Sequence, residues 1–121
     1  MTRAAFTVAV LAVVITSPAL ACSCLPRSEA QIIEAADVAV AGKVGDVRRI
    51  GPAGTGRVIA TIDVTRIIKG RVHRQIQVRT SDNPAACGID FQPGSVVRVA
   101  AQKLNDGLNT NLCMALAAPR A

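Results

Sequence analysis

The sequence predicts a mainly β domain: a small closed or partly open barrel of five short strands, with one or two short helices and disulfide staples. Three observations predict it. Apolar and polar residues alternate in several short runs, most cleanly over residues 57–66, and a period of two marks a half-buried strand. Compact turn signals separate the runs, among them Gly51-Pro52-Ala53-Gly54, Pro93-Gly94 and Asn105-Asp106-Gly107. Four cysteines, Cys22, Cys24, Cys87 and Cys113, stand in a chain of 121 residues behind an export-type leader. Periodicity alone does not choose a barrel over a sandwich.

The leader comes first. Arg3 is the only charge in residues 1–21, an apolar run covers residues 4–15, and Ser17-Pro18 breaks it. Ala19-Leu20-Ala21 then offers the small-x-small pattern of a signal-peptide cleavage site. Cutting after Ala21 makes Cys22 the first residue of a single domain, residues 22–121. The apolar run is short for a bilayer span, and no second one of spanning length follows. The expected product has no membrane span and is secreted or periplasmic. A rival reading makes Cys22 a bacterial lipid-attachment site. That motif places Leu three residues before the Cys, where this chain has Ala19. Acylation would block the Cys22 amine.

Pro26 and the two neighbouring cysteines imply an extended segment. Ser28-Glu29-Ala30-Gln31 reads as a capping box, followed by a helix of about two turns with Ile32, Ile33, Ala35 and Ala36 on its apolar face. Asp37 is expected to end it. Residues 38–44 read as a strand buried on most of both faces, with Gly42 as a bulge. Residues 51–56 form the next turn. In residues 57–66, Val58, Ala60, Ile62 and Val64 share one face. Residues 75–79 and 96–102 make two more strands. Asn105-Asp106-Gly107 predicts a hairpin into a fifth strand over residues 108–113.

Composition excludes several functions. Cleavage removes Arg3 alone, leaving 13 Lys and Arg against 8 Asp and Glu, a net charge of +5. The charges are scattered, as on a solvated surface. Phe91 is the one aromatic ring, apart from His73, beyond the leader, and nucleic-acid binding wants stacking aromatics beside a basic stripe. His73 is the only histidine and sits in a basic turn among Lys69, Arg71 and Arg74. No Ser-His-Asp set, paired carboxylates or phosphate-binding Gly loop is evident. The expectation is a non-enzyme with no catalytic residues and no cofactor of its own.

Four cysteines in an exported chain read as two disulfides, with three pairings open. A Cys22–Cys24 bridge would close a very small loop near the limit of disulfide reach. Export and distant spacing argue against the alternative of a structural zinc site.

A chain beginning at Cys22 has a free α-amine, and that amine with its neighbouring carbonyl oxygen can form a five-membered chelate on a metal. Cys22-Ser23-Cys24 with Pro26, then Gln31, Ala36-Asp37-Val38 and Gly42-Lys43-Val44, open a longer pattern. It continues through Ile67-Ile68-Lys69-Gly70, Cys87-Gly88, Gly94 and Leu112-Cys113. In order and spacing these residues resemble the tissue inhibitors of metalloproteinases, here as a single-domain, bacterial-type relative. The likeness spans almost all of residues 22–121, and the Cys-x-Cys start is its specific part. It implies an OB-like five-stranded Greek-key barrel, the netrin-like module, and the bridges Cys22–Cys87 and Cys24–Cys113.

The resemblance further implies that the Cys22 amine and carbonyl bind the catalytic zinc of a partner metalloprotease. Ser23 would enter the protease's specificity pocket, in a binding segment with Cys24, Leu25 and Pro26. Pro84, Ala85 and Ala86 would flank that wedge. The expected protein is a monomer whose only zinc is the partner's. It departs from the family in lacking the third disulfide of this domain and in the short loop after its first strand. The alternative function is a non-inhibitory netrin-like binding module of the cell envelope, lipid-anchored where Cys22 is acylated.

Overall fold

The computed structural model describes residues 2–5, 7–14 and 22–117. Residues 2–5 and 7–14 are exposed and without regular structure; the expected cleavage site Ala19-Leu20-Ala21 lies outside the described residues. The chain runs through helix α1 (Glu29–Ala35), β1 (Val38–Ile50), β2 (Arg57–Lys69), β3 (Gln75–Ser81), β4 (Val96–Leu104) and β5 (Gly107–Asn109). Two 3-10 turns, Pro84–Ala86 and Leu112–Met114, flank the last two strands. The strands close in the order β1-β2-β3-β5-β4, and β4 pairs back onto β1. Every pairing is antiparallel except β3 with β5. This is the OB-like barrel, and its closure leaves no free sheet edge.

β1 is longer than the sequence predicts, because it serves two partners in turn. Residues 39–43 pair with both β2 and β4, Val38 with β4 alone, and Val44 and residues 47–50 with β2 alone. Register shifts at Ala41/Gly42 and between Val44 and Val47 bend it around the barrel. Gly42 permits the first bend: a Cβ there would collide with the Asp63 carbonyl and lie 2.7 Å from the Ile62 side chain.

Alternation fills the interior. Val40, Val44, Ala60, Ile62, Ile76, Val78, Val99 and Ala101 form the inner core, joined by Phe91. A second, outer core explains why residues 38–41 are buried continuously. Ala36, Ala39, Ala100, Met114 and Leu116 pack outside the barrel wall, with Ile32 and Ile33 of α1 against them.

α1 has only seven residues, so its ends and its packing hold it. Ser28 Oγ accepts from the Gln31 N–H at 3.2 Å, while Gln31 Oε1 accepts from the Ser28 N–H at 2.9 Å. At the other end Lys69 Nζ, from β2, donates to the carbonyls of Ile33 and Glu34 at 2.9 and 2.8 Å, where a cation suits the helix dipole. The helix ends at its cap Ala36 rather than at Asp37. Asp37 instead accepts the Lys103 N–H on Oδ2 at 2.8 Å.

The fifth strand is shorter than predicted. It stops at Asn109, and Cys113 lies in the 3-10 turn Leu112–Met114. The hydroxyl of buried Thr110 donates to the Ala100 carbonyl at 2.7 Å, and the Asn111 side chain accepts the Cys113 N–H at 2.9 Å. Those side-chain bonds offer the backbone an alternative to the ladder.

The strand directions give the barrel two ends. One gathers the ends of β1, β3 and β5 with the starts of β2 and β4; the other gathers the reverse set.

Candidate functional site

The candidate site lies at the first of these ends. Residues 22–28 carry no regular structure, and two disulfides tie them down. Cys22 is bonded to Cys87 with Cα atoms 5.0 Å apart, and Cys24 to Cys113 with Cα atoms 5.3 Å apart. These are the same pairs the resemblance implies. The bridges are adjacent: the sulfurs of Cys22, Cys24 and Cys113 lie within 4.8 Å of one another. No cysteine is free. The close sulfurs are therefore neighbouring disulfides rather than a thiolate metal set.

Each anchor is a short turn built by an asparagine. Asn83 Oδ1 accepts the Ala85 N–H at 3.0 Å and starts Pro84–Ala86. Asn111 does the same for Leu112–Met114 through the Cys113 N–H. Cys87 ends the first turn in the left-handed region at φ 63°, and is the only non-glycine with positive φ among the described residues. That conformation costs on the order of 1 kcal/mol or more and persists only where its surroundings impose it. Here the Cys87 N–H donates to the Pro84 carbonyl at 3.1 Å, and its carbonyl accepts the Leu112 N–H at 2.8 Å. That last bond joins the two cysteine turns directly.

Gly88 must follow. A Cβ at that position would collide with the Ser81 carbonyl and lie 3.0 Å from the Asn83 carbonyl. The Cys87-Gly88 pair is thus a left-handed turn followed by a close backbone approach. Asp82 braces the neighbouring β1–β2 loop, with Oδ2 accepting the Gly54 N–H at 2.9 Å.

What this frame presents is exposed. Ser23, Cys24, Leu25 and Pro26 are all exposed, Leu25 by 85 %, while Cys22 is half-buried. Pro84, Ala85 and Ala86 are exposed on the turn that Cys87 ends. The Cys22–Cys87 bridge therefore brings the Cys22 backbone beside the turn that carries residues 84–86. The cut that would free the Cys22 amine falls outside the described residues. His73 is exposed in the β2–β3 connection, at the opposite end of the barrel.

Asn83 and Asn111 are functional positions that hydropathy patterning does not mark, although they stand four and two residues before a cysteine. Asparagine two residues ahead of a backbone N–H is the recognisable signal. No helix among the described residues is long and apolar enough to cross a membrane. No family model and no curated protein matches this chain.

Proposed function

We propose that the chain, cleaved to begin at Cys22, inhibits zinc metalloproteases and is itself neither an enzyme nor a metalloprotein. One observation supports this reading above the others: two adjacent disulfides hold the Cys22 backbone against a capped turn while Ser23 and Leu25 stand in solvent. A catalytic zinc keeps one coordination position open for water. The freed amine and carbonyl oxygen of Cys22 would replace that water as a five-membered chelate. Ser23 would follow into the adjacent pocket, with Leu25, Pro26 and the 84–86 turn making the surrounding contacts. A wedge already ordered by covalent bonds loses little conformational freedom on binding.

Two disulfides suit an oxidising compartment, so the proposed protein is secreted or periplasmic and acts as a monomer. Intact mass of the exported product, followed by titration against a panel of zinc metalloproteases, tests the reading. The expected result is an unmodified N-terminal Cys22 and stoichiometric inhibition of at least one protease. A product acylated at Cys22 would overturn it in favour of an anchored, non-inhibitory binding module.

A further inference from the structure

We propose a second site, at the end of the barrel away from the disulfides, that binds a small anionic amphiphile: an alkyl chain with one carboxylate head. It does not depend on the inhibitor reading.

The core itself is the floor. At this end Val38 and Ile76, both members of the inner core, line a hollow of about 380 Å³. Half-buried Val72 and Leu108 and exposed Leu104 form its walls. Its size falls within the range of small-ligand pockets, which are mostly apolar with a few polar groups for orientation.

The rim carries one sign of charge. Arg71, His73 and Lys103 all line the hollow and are exposed, and no carboxylate is among the lining residues. Two carboxylates lie next to the lining without belonging to it: Asp37, whose Oδ2 accepts the Lys103 backbone N–H at 2.8 Å, and Asp106 in the β4–β5 turn. The one ion pair among the described residues, Arg98 with Glu29, involves neither rim cation. An apolar floor lined above by two cations that make no ion pair among the described residues matches an apolar body with an anionic head. It rejects a cationic amphiphile and gives a neutral one no partner for the rim.

The test uses the exported, disulfide-bonded protein, ¹⁵N-labelled and titrated with decanoate, decan-1-ol and decyltrimethylammonium. Decanoate is expected to shift the amides of residues 71–76 and 103–108 in a saturable way. Affinity should rise about two- to fourfold per methylene from hexanoate upward until the hollow is full. Decan-1-ol should bind at least tenfold more weakly, and decyltrimethylammonium should leave these amides unmoved. The double variant Arg71→Gln/Lys103→Gln should keep its spectrum, since both side chains are exposed, and lose about tenfold in decanoate affinity. Equal binding of decanoate and decan-1-ol would overturn the proposal. So would undiminished binding by the double variant, or no shift at this end up to millimolar decanoate.

Discussion

The two ends of the barrel are made from the same five strands and differ in what stops them. At one end the segment between Cys87 and β4 folds inward, and Phe91 is buried among the core residues. Two disulfides, two asparagine-capped turns and the Cys87–Leu112 backbone bond tie that end together. At the other end no ring of the described residues is buried in the core. Val38 and Ile76 are buried there beneath the β2–β3 connection and the β4–β5 hairpin, which leave a hollow above them. Rigidity is concentrated where a segment without secondary structure has to keep its shape. The open end is held by hydrogen bonds instead, from Lys69 to the last turn of α1 and from the Lys103 N–H to Asp37, and keeps a hollow.

The largest expected effect separates presentation from stability at the tied end. Adding one Ala before Cys22 of the cleaved protein should abolish metalloprotease inhibition. It converts the amine to an amide, a poor zinc donor, and places a residue where the metal would sit. The barrel and both bridges are untouched, so unfolding free energy should move by no more than about 0.5 kcal/mol. Ser23→Gly, which removes only a pocket contact, should weaken inhibition less. Only the neutral amine donates, and a free α-amine titrates near 7.7–8.0. Inhibition should therefore fall as pH drops below that range. An Ala-extended protein that inhibits as well as the original would remove chelation from the mechanism.

Next in size is the plug. Phe91→Ala should cost about 3–5 kcal/mol in chemical denaturation, through lost burial and the cavity left behind. Val72→Ala, at the half-buried lip of the open end, should cost no more than about 1 kcal/mol. Similar losses at both positions would mean that the two ends are equally closed in solution. Replacing Cys24 and Cys113 together by Ser should cost about 2–4 kcal/mol, since that bridge spans 89 residues while the Cys22–Cys87 bridge still restrains the unfolded chain. Peptide mapping without reduction should recover Cys22 with Cys87 and Cys24 with Cys113.

Much of the barrel was legible because alternation reports one buried face. Ala60 and Ile62 lie in the core and Val64 packs against it, as their spacing predicts, and Val58 is buried. Ile59 shows the limit of that rule: it lies on the other face and is only 2 % exposed, flanked in register by Arg48 and Arg79. Long arginine stems are able to cover a neighbour that alternation assigns to solvent. The continuous run at residues 38–41 signalled burial on both faces but not what covers the outer one, because Met114 and Leu116 arrive from far along the chain. β5 was overextended since Leu112 and Met114 read as strand residues, whereas the local bond from Asn111 decides for a turn. At the candidate site the cysteines were legible. The left-handed Cys87 was not, for its conformation follows from the disulfide and the Leu112 bond rather than from its neighbours. The hollow at the open end was invisible for the same reason: its lining residues are brought together from β1, the β2–β3 connection, β3 and the β4–β5 hairpin.

The smallest effect probes the hairpin beside the open end. Asp106 holds the β4–β5 turn by accepting from Asn109 Nδ2 at 2.8 Å. That hydrogen bond, assisted by the positive charges of Arg79 and Arg57, pulls its carboxyl below the ordinary 3.8, against slight desolvation. A carboxyl lowered in the folded state contributes stability above its unfolded value, and that contribution is lost as pH falls through the folded value. Asp106→Asn keeps an acceptor oxygen and removes the charge. At neutral pH its thermal midpoint should lie below the parent's by no more than about 2 °C, because the group is fully exposed. The gap should narrow as pH falls below 3.8 and close once the parent carboxyl is neutral too. Thermal melts at pH 7, 4 and 2 read this directly. A gap that persists at pH 2 would assign the effect to hydrogen-bond geometry and not to charge. Phe91→Ala, by contrast, should keep its deficit at pH 7, 4 and 2, because what it loses is apolar burial and packing.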